Sequence, residues 1–183
     1  MTVRGFDPLR LDVEAFAKDA AALEGRWPLR QFLRVAQAAH SDAPPAEGDV
    51  VAWHLRGERR QSRGSESQTW LHLEAQSRLS MQCQRCLCPV AVALDVRRSL
   101  MFVVGEDTAA QLDADSEHDV LAMSRALDVR GLVEDELVLA LPLVPRHEAC
   151  LVPLPVSPPP QAELEEPSPF AALAALRRGG PLN

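Results

Sequence analysis

The sequence predicts an α+β fold: an antiparallel sheet with a few packed helices and a flexible C-terminal tail. Three observations carry this. Long stretches in the middle of the chain alternate apolar and polar residues with a period of two, as strands with one buried and one wet face do. Shorter stretches on either side carry apolar residues at helical spacing. After Cys150 the composition shifts to "LVPLPVSPPPQAELEEPSPF", proline-rich, acidic and unsuited to a packed core. The expected organisation is an α+β domain over residues 1–150, then a linker and short amphipathic tail over residues 151–183.

Taken in order, "VRGFDPLRLDV" (3–13) is expected to be extended and interrupted by Pro8. "EAFAKDAAALE" (14–24) suits a short helix with Phe16, Ala20 and Leu23 on one side, ended by Gly25. A second helix is expected from Pro28, with Leu29, Phe32, Leu33 and Ala36 as its apolar stripe. "SDAPPAEG" (41–48) is a loop by composition. Three strands follow. Val51, Trp53 and Leu55 mark the first; Leu71, Leu73, Ala75, Leu79, Met81 and Cys83 the second; Val90, Val92, Leu94 and Val96 the third. "RRQSRGSES" (59–67) turns the first strand into the second, and the cysteine stretch "CQRC" turns the second into the third. Residues 106–119 read as acidic and weakly ordered. "MSRALDVRGLVEDELVLALP" (123–142) is expected to hold one short strand and then a helix. Its Val133, Leu137 and Leu141 would face the core, and Glu134, Asp135 and Glu136 would lie near its positive end.

Composition narrows the function classes. The chain has 183 residues, 46% of them hydrophobic, so a core can be buried; aromatic residues are 4% and tyrosine is absent, so Val, Leu and Ala must build it. No run approaches the roughly 20 apolar residues of a membrane span. The acidic N-terminal stretch is unlike a signal peptide, so the expected location is the cytoplasm, with reduced thiols and no membrane partner. The net charge of −7 is unevenly spread: residues 1–105 carry +2 and residues 106–183 carry −9. Arg56, Arg59, Arg60 and Arg63 cluster at one turn, and Arg85, Arg97 and Arg98 join them if the strands pair in sequence order. Arginines around adjacent turns suit contacts to RNA backbone phosphates, and equally suit a merely soluble hairpin.

Three of the four cysteines fall within "CQRCLC" (83–88), and "HEAC" supplies His147 and Cys150. Two thiolates from a turn and an HxxC pair from elsewhere make the Cys₃His set that one structural zinc accepts, with Cys88 to spare. The alternatives are a pair of small apolar residues capping a hairpin, and a redox dithiol. A thioredoxin-like dithiol opens a helix, whereas this one leads into a strand, so the usual activation is missing. No phosphate loop, G-x-S-x-G or HExxH is present, and no catalytic residue is assigned.

Three stretches in this order, "MQCQRCLCPV", "LVEDELVLALPLVPRHEAC" and "EPSPFAALAALRRGG", together resemble the YceD family, the bacterial large ribosomal RNA subunit accumulation proteins. The resemblance runs from the strand before Cys83 to Arg178, with a plausible start at "FDPLRLD". It implies a non-enzymatic cytosolic factor supporting synthesis, processing or stability of 23S ribosomal RNA. The implied partners are ribosomal RNA or a pre-large-subunit particle, met directly or through a ribosomal protein or a ribonuclease. By motif, the positions carried over are Cys83, Gln84, Arg85 and Cys86 in the turn, Glu134, Asp135 and Glu136 in the helix, and His147 and Cys150 beyond it. Pro169, Phe170, Leu173 and Leu176 match the tail; with the acidic helix they are the expected protein-binding residues. Some relatives carry a second cysteine pair where this chain has His147, and the extra Cys88 is a departure. A zinc- or thiol-dependent enzyme and a protein-only adaptor are the alternatives, and oligomeric state is left open.

Overall fold

The computed structural model describes residues 5–61 and 67–150, and the compact unit ends at Cys150. Its centre is a five-stranded sheet in simple sequence order: β1 (Ala22–Pro28), β2 (Val50–Arg60), β3 (Gln68–Gln82), β4 (Pro89–Val103) and β5 (Val120–Ala122). The first four run antiparallel, and β5 joins β4 in parallel. The three strands read from the period of two are all present, and β3 and β4 reach 15 residues each, long enough to span both halves of the core. Four helices accompany them: α1 (Val13–Lys18), α2 (Leu33–Gln37), α3 (Glu106–Asp115) and α4 (Val129–Leu139).

The apolar alternates converge on one face. Val51, Trp53 and Leu55 of β2, Leu71, Leu73 and Leu79 of β3, and Leu94, Val96 and Leu100 of β4 pack with Val13 and Phe16 of α1, Phe32 just before α2, Val35 of α2, and Val133 and Leu137 of α4. Burying one such aliphatic side chain is worth about 1.5–3 kcal/mol, so this seam is the main source of stability. Gly57 lets α1 lie directly on β2: a Cβ there would come within 2.8 Å of the Ala17 Cα and the Phe16 carbonyl oxygen. Asp12 and Asp128 cap α1 and α4, their side chains accepting from the backbone N–H of Ala15 and Arg130 at 3.0 Å each.

Four local expectations are corrected. The helix over residues 14–24 stops at Lys18, because Ala20 takes a positive φ of 47° and the chain reverses into β1, where Leu23 pairs with Leu55. Gly25 is therefore no helix terminator; it leaves room for the Trp53 ring, which a Cβ would approach to 3.0 Å. The helix from Pro28 shortens to a single 3₁₀ turn, Leu29–Gln31, followed by α2. The acidic stretch after Gly105 forms α3, with Glu106 and Asp107 in its first turn, where the helix dipole favours them. Its Asp113 carboxylate accepts from the Val120 N–H at 2.8 Å and so aligns β5. The expected short strand lies at Val120–Ala122, just before residue 123.

Candidate metal centre and the outer sheet face

β3 ends at Gln82 and β4 begins at Pro89, so the cysteine stretch is the connection between them. Cys83 and Cys88 close it, with the Cys83 N–H donating to the Cys88 carbonyl at 3.0 Å and the Leu87 N–H donating to the Cys83 carbonyl at 2.9 Å. Leu87 takes a φ of 61°, which bends the loop back and turns both thiols of the CxxC to one side. The Gln84 N–H donates to the Pro145 carbonyl at 2.9 Å, drawing the 145–150 segment onto the same loop. The result is a cluster of four potential ligand atoms, from Cys83, Cys86, His147 and Cys150, all within 4.8 Å of one another.

The geometry suits a single metal ion. A tetrahedral ion with bonds of about 2.3 Å to sulfur and about 2.0 Å to nitrogen sets ligand atoms about 3.8 Å apart for S···S and about 3.5 Å for S···N. Cys83 Sγ and Cys150 Sγ are 3.8 Å apart, and Cys86 Sγ lies 3.4 Å from His147 Nδ1. The imidazole is oriented as a ligand requires. Its Nε2 is 3.1 Å from the Pro89 carbonyl, which can only accept, so Nε2 carries the proton and Nδ1 is left facing the thiols.

The ionisation of the cluster follows the same geometry. Burial pushes the Cys83 thiol up, but backbone N–H groups of His147, Arg85 and Cys86 outweigh it and bring it down to about 5. The Cys88 backbone N–H holds Cys86 below the ordinary thiol range. Desolvation, then Cys86 and Cys83, push the half-buried Cys150 thiol up to about 11, and His147 is raised by Cys83 and Cys86. The cluster thus favours thiolates at Cys83 and Cys86, while the Cys150 thiol keeps a proton that a cation would displace. Cys88 points elsewhere, donating to the Cys86 carbonyl at 3.4 Å, and its thiol is raised by Cys86.

One supporting residue escaped the sequence reading. His40 is 7% exposed, and its Nδ1 accepts from the Asp42 N–H at 3.0 Å, so its Nε2 donates to the Leu87 carbonyl at 2.9 Å. It braces the bend of the loop from the end of α2. No local pattern in "AAHSD" announces this, because the partner lies 47 residues away.

The opposite, outer face of the sheet carries the polar alternates. Arg56 and Arg60 of β2 and Arg97 of β4 share it, and Arg56 and Arg97 line an open cleft of about 260 Å³ with His54, His72, Glu74 and Ser99. The expected arginine patch is narrower than the sequence suggested, because neighbours on a strand point to opposite faces. Arg59 lies across the sheet from Arg60 and donates to the Ser67 hydroxyl at 3.0 and 2.8 Å. Arg98 lies across from Arg97 and donates to Glu136 at 2.8 Å. Arg85 sits exposed in the cysteine loop, and Arg63 falls outside the described residues.

The acidic residues of α4 are also placed differently. Glu134, Asp135 and Glu136 lie in the second turn rather than at the positive end. Glu134 accepts from the Arg34 backbone N–H at 2.8 Å, Asp135 pairs with the Arg34 guanidinium at 2.6 Å, and Glu136, 8% exposed, pairs with Arg98. All three thus have an arginine partner within the fold, and Asp135 keeps 58% of its side chain exposed. Pro169, Phe170, Leu173 and Leu176 lie outside the described residues.

Comparison with known proteins fits this layout. The family described as large ribosomal RNA subunit accumulation protein YceD matches residues 71–177, from β3 through the cluster and beyond. The chain belongs to the YceD family. A relative from Haemophilus influenzae (strain ATCC 51907 / DSM 11121 / KW20 / Rd), named large ribosomal RNA subunit accumulation protein YceD, is 35% identical over 105 residues. The alignment covers 55% of this chain and 60% of that YceD protein, so the chain spans under two thirds of the relative's length. No solved structure matches. All four potential ligand residues and the whole of α4 fall inside the matched YceD region. No helix among the described residues is long and apolar enough to cross a membrane.

Proposed function

We propose that the chain is a non-catalytic, cytoplasmic factor for the accumulation of large-subunit (23S) ribosomal RNA, with one structural zinc at Cys83, Cys86, His147 and Cys150. The observation that carries the reading is the gathering of those four donors within 4.8 Å of one another, two of the pairs at tetrahedral spacing, inside the region shared with the YceD family. Zinc favours three thiolates and an imidazole, and four protein ligands fill its coordination sphere with no position left for a substrate, as in structural rather than catalytic sites. The ion would clamp the β3–β4 loop to the segment after α4, leaving the outer sheet face to meet RNA phosphates through Arg56, Arg60 and Arg97.

Two experiments test the two parts. Purified protein is expected to hold one zinc per chain, and Cys83→Ser with Cys86→Ser to hold none. In a strain lacking the protein, the wild-type chain is expected to restore the 23S to 16S ratio. The tagged protein should also sediment with large-subunit precursors in a ribonuclease-sensitive manner. A normal 23S to 16S ratio in the deletion strain would refute the ribosomal role, and a metal-free wild type would refute the zinc.

A further inference from the structure

We propose that the free edge of β4 is a self-association surface, and that two copies of the chain join there into one continuous antiparallel sheet. The inference is independent of the ribosomal reading. β5 pairs only with Met101–Val103, so the rest of β4 has no strand beside it among the described residues. The direction of its backbone groups follows from the ladder. The Met101 N–H donates to the Asp119 carbonyl of the β5 side at 3.0 Å, and the Met123 N–H donates to the Val103 carbonyl at 2.7 Å. Odd-numbered residues of β4 therefore point their N–H and C=O away from β3 at this end. The β3–β4 register runs from Thr69↔Phe102 to Gln82↔Pro89 without a bulge, so the same parity holds along the whole strand. The Pro89 carbonyl, at the far end, confirms it by accepting from His147 rather than from β3.

Ala91, Ala93, Asp95, Arg97 and Ser99 thus present five N–H and five C=O groups to the open edge, with no backbone partner among the described residues. The segment is unbulged and, after Pro89, proline-free between the cysteine loop at one end and β5 at the other, and such an edge templates another strand. The charges select the occupant. In a twofold pairing centred on Val96, Asp95 of one copy lies opposite Arg97 of the other, twice over, on the outer face where both side chains are exposed. Ala93 then faces Ser99. Centring one residue earlier sets Asp95 against itself, and one residue later sets Arg97 against itself. Beside the edge, Val96 and Arg98 form a notch with Leu139 and Ala140 at the end of α4, and Leu139 is 71% exposed. The twofold brings two such leucines towards each other and would cover them.

The test is the mass of the full chain in solution by sedimentation equilibrium, over a range of about 1–100 µM. The wild type is expected to approach twice its 20.0 kDa. Arg97→Asp, which sets two aspartates against two aspartates, is expected to weaken the dimer at least tenfold. The exchange Asp95→Arg with Arg97→Asp restores both pairs and should restore the dimer. Ala93→Pro removes an edge N–H without touching the β3 ladder, and should also give monomer with unchanged circular dichroism. A wild type of 20.0 kDa throughout, or a dimer indifferent to both Arg97→Asp and Ala93→Pro, overturns the proposal.

Discussion

Glu58 shows how the outer face is held in order by single residues. Its carboxylate accepts from Arg60 at 2.8 Å and from His72 at 2.7 Å, and the His72 Nδ1 in turn meets the Ser99 hydroxyl at 2.9 Å, so one hydrogen-bonded row ties three strands. The Arg60 and His72 hydrogen bonds lower the Glu58 carboxyl from 4.5 to about 2. A depressed acid contributes stability that is present above its unfolded value and disappears as pH falls through its folded value. Glu58→Gln should therefore lower the melting temperature at neutral pH, with the difference from wild type shrinking between pH 4.5 and pH 2. Melting curves taken across that window check it; a difference independent of pH would refute the ionic origin. Gly57 makes the complementary point for packing. Because its missing Cβ would meet backbone atoms of α1, which cannot swing aside, Gly57→Ala should cost about 1–3 kcal/mol in urea unfolding.

Among the elements, α4 is fixed to the sheet by one ion pair whose two sides are not equivalent. Glu136 is 9% exposed at its side chain whereas Arg98 is 46% exposed. Removing Arg98 strands a buried carboxylate, so Arg98→Ala should cost about 1–3 kcal/mol, the penalty for an unsatisfied buried charge softened by partial exposure. The double variant Arg98→Ala with Glu136→Gln should recover part of that loss, and denaturant curves on both decide it. These contacts also show what was legible in the sequence. The long strands could be read because a strand with one wet face writes its period of two over ten or more residues, as Leu71, Leu73 and Ala75 do. The CxxC could be placed in a turn for the same reason. The β1 strand could not, because Leu23 and Gly25 also fit the end of a helix, and only pairing with Leu55 and Trp53 decides between them. The destination of Glu134–Glu136 was invisible too: Arg34 and Arg98 are far away in sequence, and an acidic run looks the same whether it is exposed or paired.

For the whole molecule, the consequence is a division between a clamped inner side and an open outer face. If the cluster holds zinc, the ion connects the loop after β3 to the segment after α4, and chelation releases both at once. Equilibration with a strong chelator should lower the melting temperature of the wild type and leave Cys83→Ser with Cys86→Ser, already destabilised, unchanged. The outer face carries the remaining expectation. Arg56 lies beside the cleft and Arg60 packs its guanidinium 4.6 Å from the centre of the Trp70 ring, which holds the charge in place before any ligand arrives. A phosphate contact made by such a side chain releases about one counterion. Arg56→Ala with Arg60→Ala should therefore weaken binding to large-subunit RNA and reduce the slope of log affinity against log salt by about 1.5, roughly two contacts' worth. Filter binding at a series of salt concentrations measures both. Because Arg59 lies across the sheet from Arg60, Arg59→Ala is the matched control, and it should leave the slope where it was. Equal losses from all three arginines would mean that local positive charge on either side of the sheet, rather than this face, attracts the RNA.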